Sequence, residues 1–141
     1  MMQEIKTRDQ VKKDPDPKSV NNLEFFIDGK LNPLWVSDYA EYYSVMVLAE
    51  KRMTINQLRA FFNEFLRIQD LAEESNPSWI VMAKMMEAKA VYRVNSSSAR
   101  IPYEFSVFIT KLISDVGNDL SKFKAACVIM EALVAYFKKD K

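Results

Sequence analysis

Histidine is absent from the 141 residues. That removes the side chain best suited to proton transfer near neutral pH, and the commonest metal ligand with it. Cysteine occurs once, as Cys127, so no internal disulfide and no thiolate cluster for zinc can form. Both absences suit a reducing, cytoplasmic setting. The glycines are two, Gly29 and Gly117. A sandwich or barrel of short strands needs more turn glycines than that, and a glycine-rich phosphate loop is excluded on the same ground. No apolar run approaches the roughly 20 residues that cross a bilayer, and the polar N-terminus is no signal peptide, so no membrane partner is expected. Neither sign of charge prevails: 20 basic residues stand against 19 acidic ones, a net charge of +1. Nucleic-acid binding depends on a local patch, and the total does not bear on it.

What is present points to helices. Hydrophobic residues make up 49% of the chain and charged ones 28%, enough apolar surface for one buried core in a single domain. Residues 1–32 read as a flexible polar N-terminal arm and short docking segment. Pro15 and Pro17 disfavour helix in the arm, and Leu23, Phe25, Phe26 and Ile27 form an apolar patch that closes in a turn at Asp28-Gly29. Residues 33–141 read as an all-α, compact bundle of about five helices. The first is expected from the Asn32-Pro33 cap to about Lys51, with Trp35, Tyr39, Tyr42, Tyr43, Met46 and Ala49 on one stripe. The second opens on the capping-box pair Thr54 and Gln57 and turns Leu58, Phe61, Phe62, Phe65 and Ile68 inward. The third runs from Asn76-Pro77 to about Val94 with Trp79, Met82, Met86, Ala90 and Val94 inward, and the run Asn95–Ser98 ends it. The fourth spans about Pro102 to Val116, buries Phe105, Phe108, Ile109, Leu112 and Val116, and stops at Gly117. The fifth, from Asn118 or Asp119 to Lys138, buries Phe123, Cys127, Met130, Leu133, Val134 and Phe137, with Lys138 and Lys139 against its C-terminal dipole.

Few residues offer chemistry. Cys127 lies on an apolar stripe with no histidine to activate it, which makes it a core thiol. Glu73-Glu74, Asp115 and Asp119 sit at helix ends in spacings unlike any calcium loop or Glu-x-x-His motif. They read as solvated termini, so no metal, cofactor or catalytic residue is expected. Most aromatic rings fall on core stripes; Tyr92, beside basic residues, is the exception that could offer a stacking face. The basic residues carry the information. Lys51, Arg52, Arg59 and Arg67 surround the second helix, and Arg52 and Arg59 would be nearly aligned if that helix continued back one turn. Lys89 and Arg93 share a face of the third helix, with Lys84 and Arg100 nearby and only Glu87 opposing them between Trp79 and Tyr103. Such a surface can meet phosphates, though an ordinary solvated face fits the pattern equally well.

The string Thr54-Ile55-Asn56-Gln57-Leu58-Arg59-Ala60-Phe61-Phe62 resembles a segment of the small helical subunit of the type III-A CRISPR effector, the Csm complex. That family carries Thr-x-x-Gln-[Ile/Leu]-Arg followed by aromatics. Three further elements occur in the family's order and spacing: Tyr39-Ala40-Glu41, Lys89-Ala90-Val91-Tyr92 and Ala135-Tyr136-Phe137-Lys138. The resemblance runs from about residue 33 to the C-terminus. It departs after Tyr92, where the family's small residues and Gly-Arg are replaced by Arg93, Val94, Asn95 and serines.

The resemblance implies a non-catalytic subunit that stacks in several copies as a filament along guide RNA paired with target RNA. Its partners would be those RNAs, the large subunit and the repeat-binding backbone subunit, with sequence read by base pairing and protein contacts falling on the RNA backbone. The RNA-binding candidates are then Arg52, Arg59, Lys89 and Arg93, followed by Lys51, Arg67, Lys84 and Arg100. Two rivals stand beside this reading. One is a helical adaptor that binds only protein. The other is an enzyme using an arginine–lysine anion clamp, for which Arg52, Arg59 and Gln57 could begin a pocket.

Overall fold

The computed structural model describes residues 22–137; the arm before residue 22 and the lysines after Phe137 lie outside them. The chain enters through a two-residue hairpin, β1 (Phe26–Ile27) pairing antiparallel with β2 (Lys30–Leu31). Asp28 and Gly29 both take positive φ, 53° and 78°, the left-handed geometry that matches a tight turn to the twist of its strands. Asn32, buried at the hairpin's exit, ties the hairpin to the first helical turn. Its Nδ2 donates to the Glu24 carbonyl at 2.9 Å, and its Oδ1 accepts from the Leu34 N–H at 3.0 Å.

The first helix departs from the single rod expected over 33–51. Pro33–Val36 is a 3-10 turn, the chain breaks at Ser37, and α1 (Asp38–Tyr42) then widens into a π-helical segment, Tyr43–Ala49. Hydrogen bonds from i to i+5 advance each residue by less than the α-helical angle, so the stripe rotates. Leu48 is fully buried, and Met46, expected inward, is 53% exposed. The segment closes with the Met53 N–H on the Leu48 carbonyl and the Arg52 N–H on the Ala49 carbonyl, both 2.9 Å. Arg52 takes the left-handed position at φ 71°.

The remaining four helices obey the local signals. In α2 (Ile55–Glu73) the capping box is complete: the Gln57 N–H donates to Thr54 Oγ1, and the Thr54 N–H to Gln57 Oε1. α3 spans Trp79–Val94, α4 Tyr103–Val116 and α5 Leu120–Tyr136. Gly117 at φ 58° ends α4, and Asp119 caps α5 through the N–H groups of Ser121 and Lys122. The Ser121 hydroxyl, which also donates to its Oδ1, and then the backbone N–H of Lys122 hold its carboxyl below the usual range.

α5 is the hub, packing on α1, α2, α4, the π segment, the 3-10 turn and β2. It is therefore apolar on most sides, with Phe123, Ala126, Cys127, Ile129, Met130 and Leu133 all buried. At one end of the core Trp35 meets Phe25, Tyr39, Tyr43 and Phe108 with ring centroids 5.0–5.8 Å away. Phe25 thus seals the bundle from outside its helices. The result is an all-α bundle whose long helices are α2 to α5.

Candidate nucleic-acid interface

Arg59, Arg67, Lys84, Lys89 and Arg93 are displayed by α2 and α3, an antiparallel pair joined by a short turn, and Lys51, Arg52 and Arg100 lie outside both helices. On α2, Leu58, Phe61, Phe65 and Ile68 are buried, which turns Arg59, Ala60, Asn63 and Arg67 to solvent. On α3, Trp79, Ala83, Met86 and Ala90 face the core, leaving Lys84, Met85, Ala88, Lys89 and Tyr92 exposed. Between the two helices runs an open groove of about 410 Å³, lined by Ala60, Phe61, Glu64, Met85, Met86, Ala88, Lys89, Tyr92 and Arg93.

Glu64 sits in this groove and organises its charge. Arg67 donates to both carboxylate oxygens, and Lys89 Nζ reaches one of them at 3.0 Å. The Arg67 hydrogen bonds, followed by Lys89, outweigh partial burial and hold the Glu64 carboxyl down at about 2; Arg67 is held more basic in return. The sequence pattern does not single out Glu64 as a site residue. Its i,i+3 pairing with Arg67 is legible along the helix, whereas Lys89 lies 25 positions away and reaches Glu64 only through the fold.

The other candidates fall into separate situations. Arg93 donates to the Ala99 carbonyl at 3.2 Å and Arg100 to the Ser96 carbonyl at 3.0 Å. Both order the loop between α3 and α4, and each spends one of its five N–H donors there. Lys51 lies 3.6 Å from Glu104, both exposed. Among the described residues no ion pair involves Arg52, Arg59 or Lys84. Lys84 is five residues from Lys89, about 140° around the helix, and does not line the groove. The alignment of Arg52 with Arg59 on one helix does not occur. α2 begins only at Ile55, and Arg52 belongs to the left-handed turn that ends the π segment.

The beginnings of an anion-clamp pocket are not drawn together either. The Gln57 side chain closes the capping box and donates to the Arg100 carbonyl at 3.2 Å. The α2–α3 groove contains neither Arg52 nor Arg59. Cys127 is buried, its Sγ 3.6 Å from the Phe65 carbonyl. Burial, and secondarily Asp70, push its thiol up to about 12, which leaves it unreactive. Glu73 pairs with Lys124 at 2.7 Å, and Asp115 with Lys111. Among the described residues no group of three or more metal-ligating side chains converges.

A family model described as Csm2 Type III-A matches residues 31–141, from the end of the hairpin through α1 to α5. The chain belongs to that family. Membership makes it a small subunit of the type III-A CRISPR Csm effector complex, associating with other Csm subunits, in a structural family that is generally non-catalytic. No curated protein and no solved structure matches the chain. The elements that carry the resemblance have distinct tasks in this Csm2-family chain. Tyr39 and Ala40 are core residues of α1, Thr54 and Gln57 cap α2, Arg59 stands outward one turn later, and Lys89 and Tyr92 border the groove. No described helix is long and apolar enough to cross a membrane.

Proposed function

We propose that this subunit is non-catalytic and cytoplasmic, and that several copies stack along the guide RNA–target RNA duplex, holding its backbone through the α2–α3 face. The observation that carries this reading is Arg59. It is exposed, it forms no ion pair among the described residues, and it lies on the same helix pair as Lys89 and Arg93. A guanidinium held off its own surface's acids is available to a phosphate. Arg52 adds a second cation, with no ion pair among the described residues, beside the capped end of α2, and Lys51, Arg67, Lys84 and Arg100 are outlying contacts. Contacts of this kind are blind to sequence, which base pairing reads instead. The exposed apolar side chains Val91, Tyr103 and Val107, which line a second groove between α3 and α4, favour self-association alongside RNA binding.

The test is Arg59→Glu, titrated against an RNA duplex at several salt concentrations. The expected result is weaker binding and a plot of log K against log salt shallower by about 0.9 for the lost phosphate contact, with helicity by circular dichroism unchanged. Unchanged affinity and slope in a folded variant would refute the assignment. Purification of the tagged subunit from its host with guide RNA and larger Csm subunits supports the assembly. Recovery of a protein partner without RNA would leave the adaptor reading in its place.

A further inference from the structure

Tyr92 is an aromatic residue that neither the core, the backbone-binding reading nor the α3–α4 groove uses. It is 73% exposed. Among the described residues its ring meets no other aromatic ring and its hydroxyl makes no hydrogen bond, whereas Tyr43, for comparison, donates its hydroxyl to the Glu104 carbonyl. The ring forms one wall of the α2–α3 groove, and the exposed thioether of Met85 lies on the same helix two turns before it. Ala60 and Ala88, from the two facing helices, keep the surface between them low. A flat depression of this kind accepts a planar ring.

Charge decides how such a ring would be attached. Lys89 and Arg93 flank Tyr92 along the groove, while Glu64 lies between α2 and α3 and is ionised. A phosphate is repelled by that carboxylate, which already holds Lys89 at 3.0 Å, and is drawn to Arg93 at the rim, while an uncharged base meets apolar and aromatic surface. A proud aromatic ring, a small-residue floor and a cationic rim together match one chemical class, the nucleotide with its base unpaired. A base inside a duplex cannot offer its face, so the occupant must lie at a duplex end, in a single strand, or displaced from the helix. We infer that the groove between α2 and α3 captures an unpaired RNA base against Tyr92, with Arg93 holding the adjoining phosphate. The inference deepens the RNA-binding reading and rests on it.

The experiment uses the full chain with two probes, a short unstructured RNA strand carrying 2-aminopurine and a blunt duplex of the same length. Wild type is compared with Tyr92→Ala and Tyr92→Phe over a range of salt. Tyr92→Ala is expected to weaken single-strand binding about 5- to 140-fold. It should also abolish the change in 2-aminopurine fluorescence, while the salt slope and duplex binding stay as in wild type. Tyr92→Phe, which keeps the stacking face, retains both signals, and the unchanged duplex binding of Tyr92→Ala shows that the alanine effect is not a loss of fold. Equal single-strand affinity for wild type and Tyr92→Ala overturns the inference while the backbone reading stands. So does loss of self-association in sedimentation with RNA binding intact, which would assign the ring to a protein neighbour. Wild type that binds neither probe overturns the RNA reading itself, an outcome separate from both.

Discussion

Replacing Glu64 by glutamine separates what the α2–α3 face does for stability from what it does for binding. The carboxylate joins Arg67 and Lys89, whose side chains are 52% and 49% exposed while its own is 24% exposed. Pairs this wet are screened, and each contributes about 0.2–1 kcal/mol. The loss at pH 7 is therefore about 1 kcal/mol, or about 3–6 °C in Tm. The pH dependence has a definite sign. The folded-state pKa, about 2, is depressed from the ordinary 4.5, so the contribution is complete above the ordinary value and disappears as pH falls from 4.5 through about 2. Wild type and Glu64→Gln should differ by that increment at pH 7 and converge in acid. Binding moves the other way. With the carboxylate gone, Lys89 and Arg67 are released and the face gains one unit of positive charge. One more phosphate contact steepens the salt slope by about 0.9, which amounts to five- to tenfold tighter duplex binding near 0.1 M salt. Thermal melts at several pH values and fluorescence anisotropy over a salt series measure the two effects. A folded variant that binds RNA no better than wild type, with no steeper slope, would show that Lys89 and Arg67 do not meet phosphates. A loss of several kcal/mol would show that the carboxylate is a structural strut.

Three other outcomes rest on particular residues. Arg52→Gly should stabilise the protein by about 0.5–1 kcal/mol, because φ 71° costs an L-residue about 1–2 kcal/mol that glycine avoids, less its greater freedom when unfolded. The same change should weaken RNA binding, and denaturant melts beside RNA titrations would show the opposite signs. Trp35→Ala should cost about 3–5 kcal/mol, since the ring is wholly buried among four aromatic neighbours. Trp35→Phe should cost much less, because the indole Nε1 has no hydrogen-bond partner to lose; urea unfolding checks both. Cys127 should resist a disulfide reagent at pH 8 in the native protein and react at once in guanidinium. Its thiol is raised to about 12 when folded, from an ordinary 9.0, so it adds to a decline in stability as pH rises above 9. Rapid labelling without unfolding would contradict its burial.

The sequence by itself determined the features whose causes lie within about four residues. The Thr54–Gln57 capping box, the left-handed stop at Gly117, the Asp28-Gly29 turn and the inward stripes of α2, α4 and α5 all depend on neighbours along the chain. So do the exclusions, because a histidine that is absent cannot be supplied by folding. The four family elements likewise stand in the sequence without any structure. Other features waited on packing. The π widening after Tyr43 exchanges Met46 for Leu48 in the core, and the pattern of apolar residues does not choose between the two periods until the segment meets α4 and α5. The same closure places Arg52 in a turn instead of on the helix of Arg59. Lys89 and Glu64, 25 positions apart, meet only where α3 lies against α2. The groove that leaves Tyr92 exposed exists between two helices and belongs to neither. Hydrogen bonds and steric limits along one segment act over a turn or two, whereas charge pairing and surface shape arise between segments that only the collapsed core brings together.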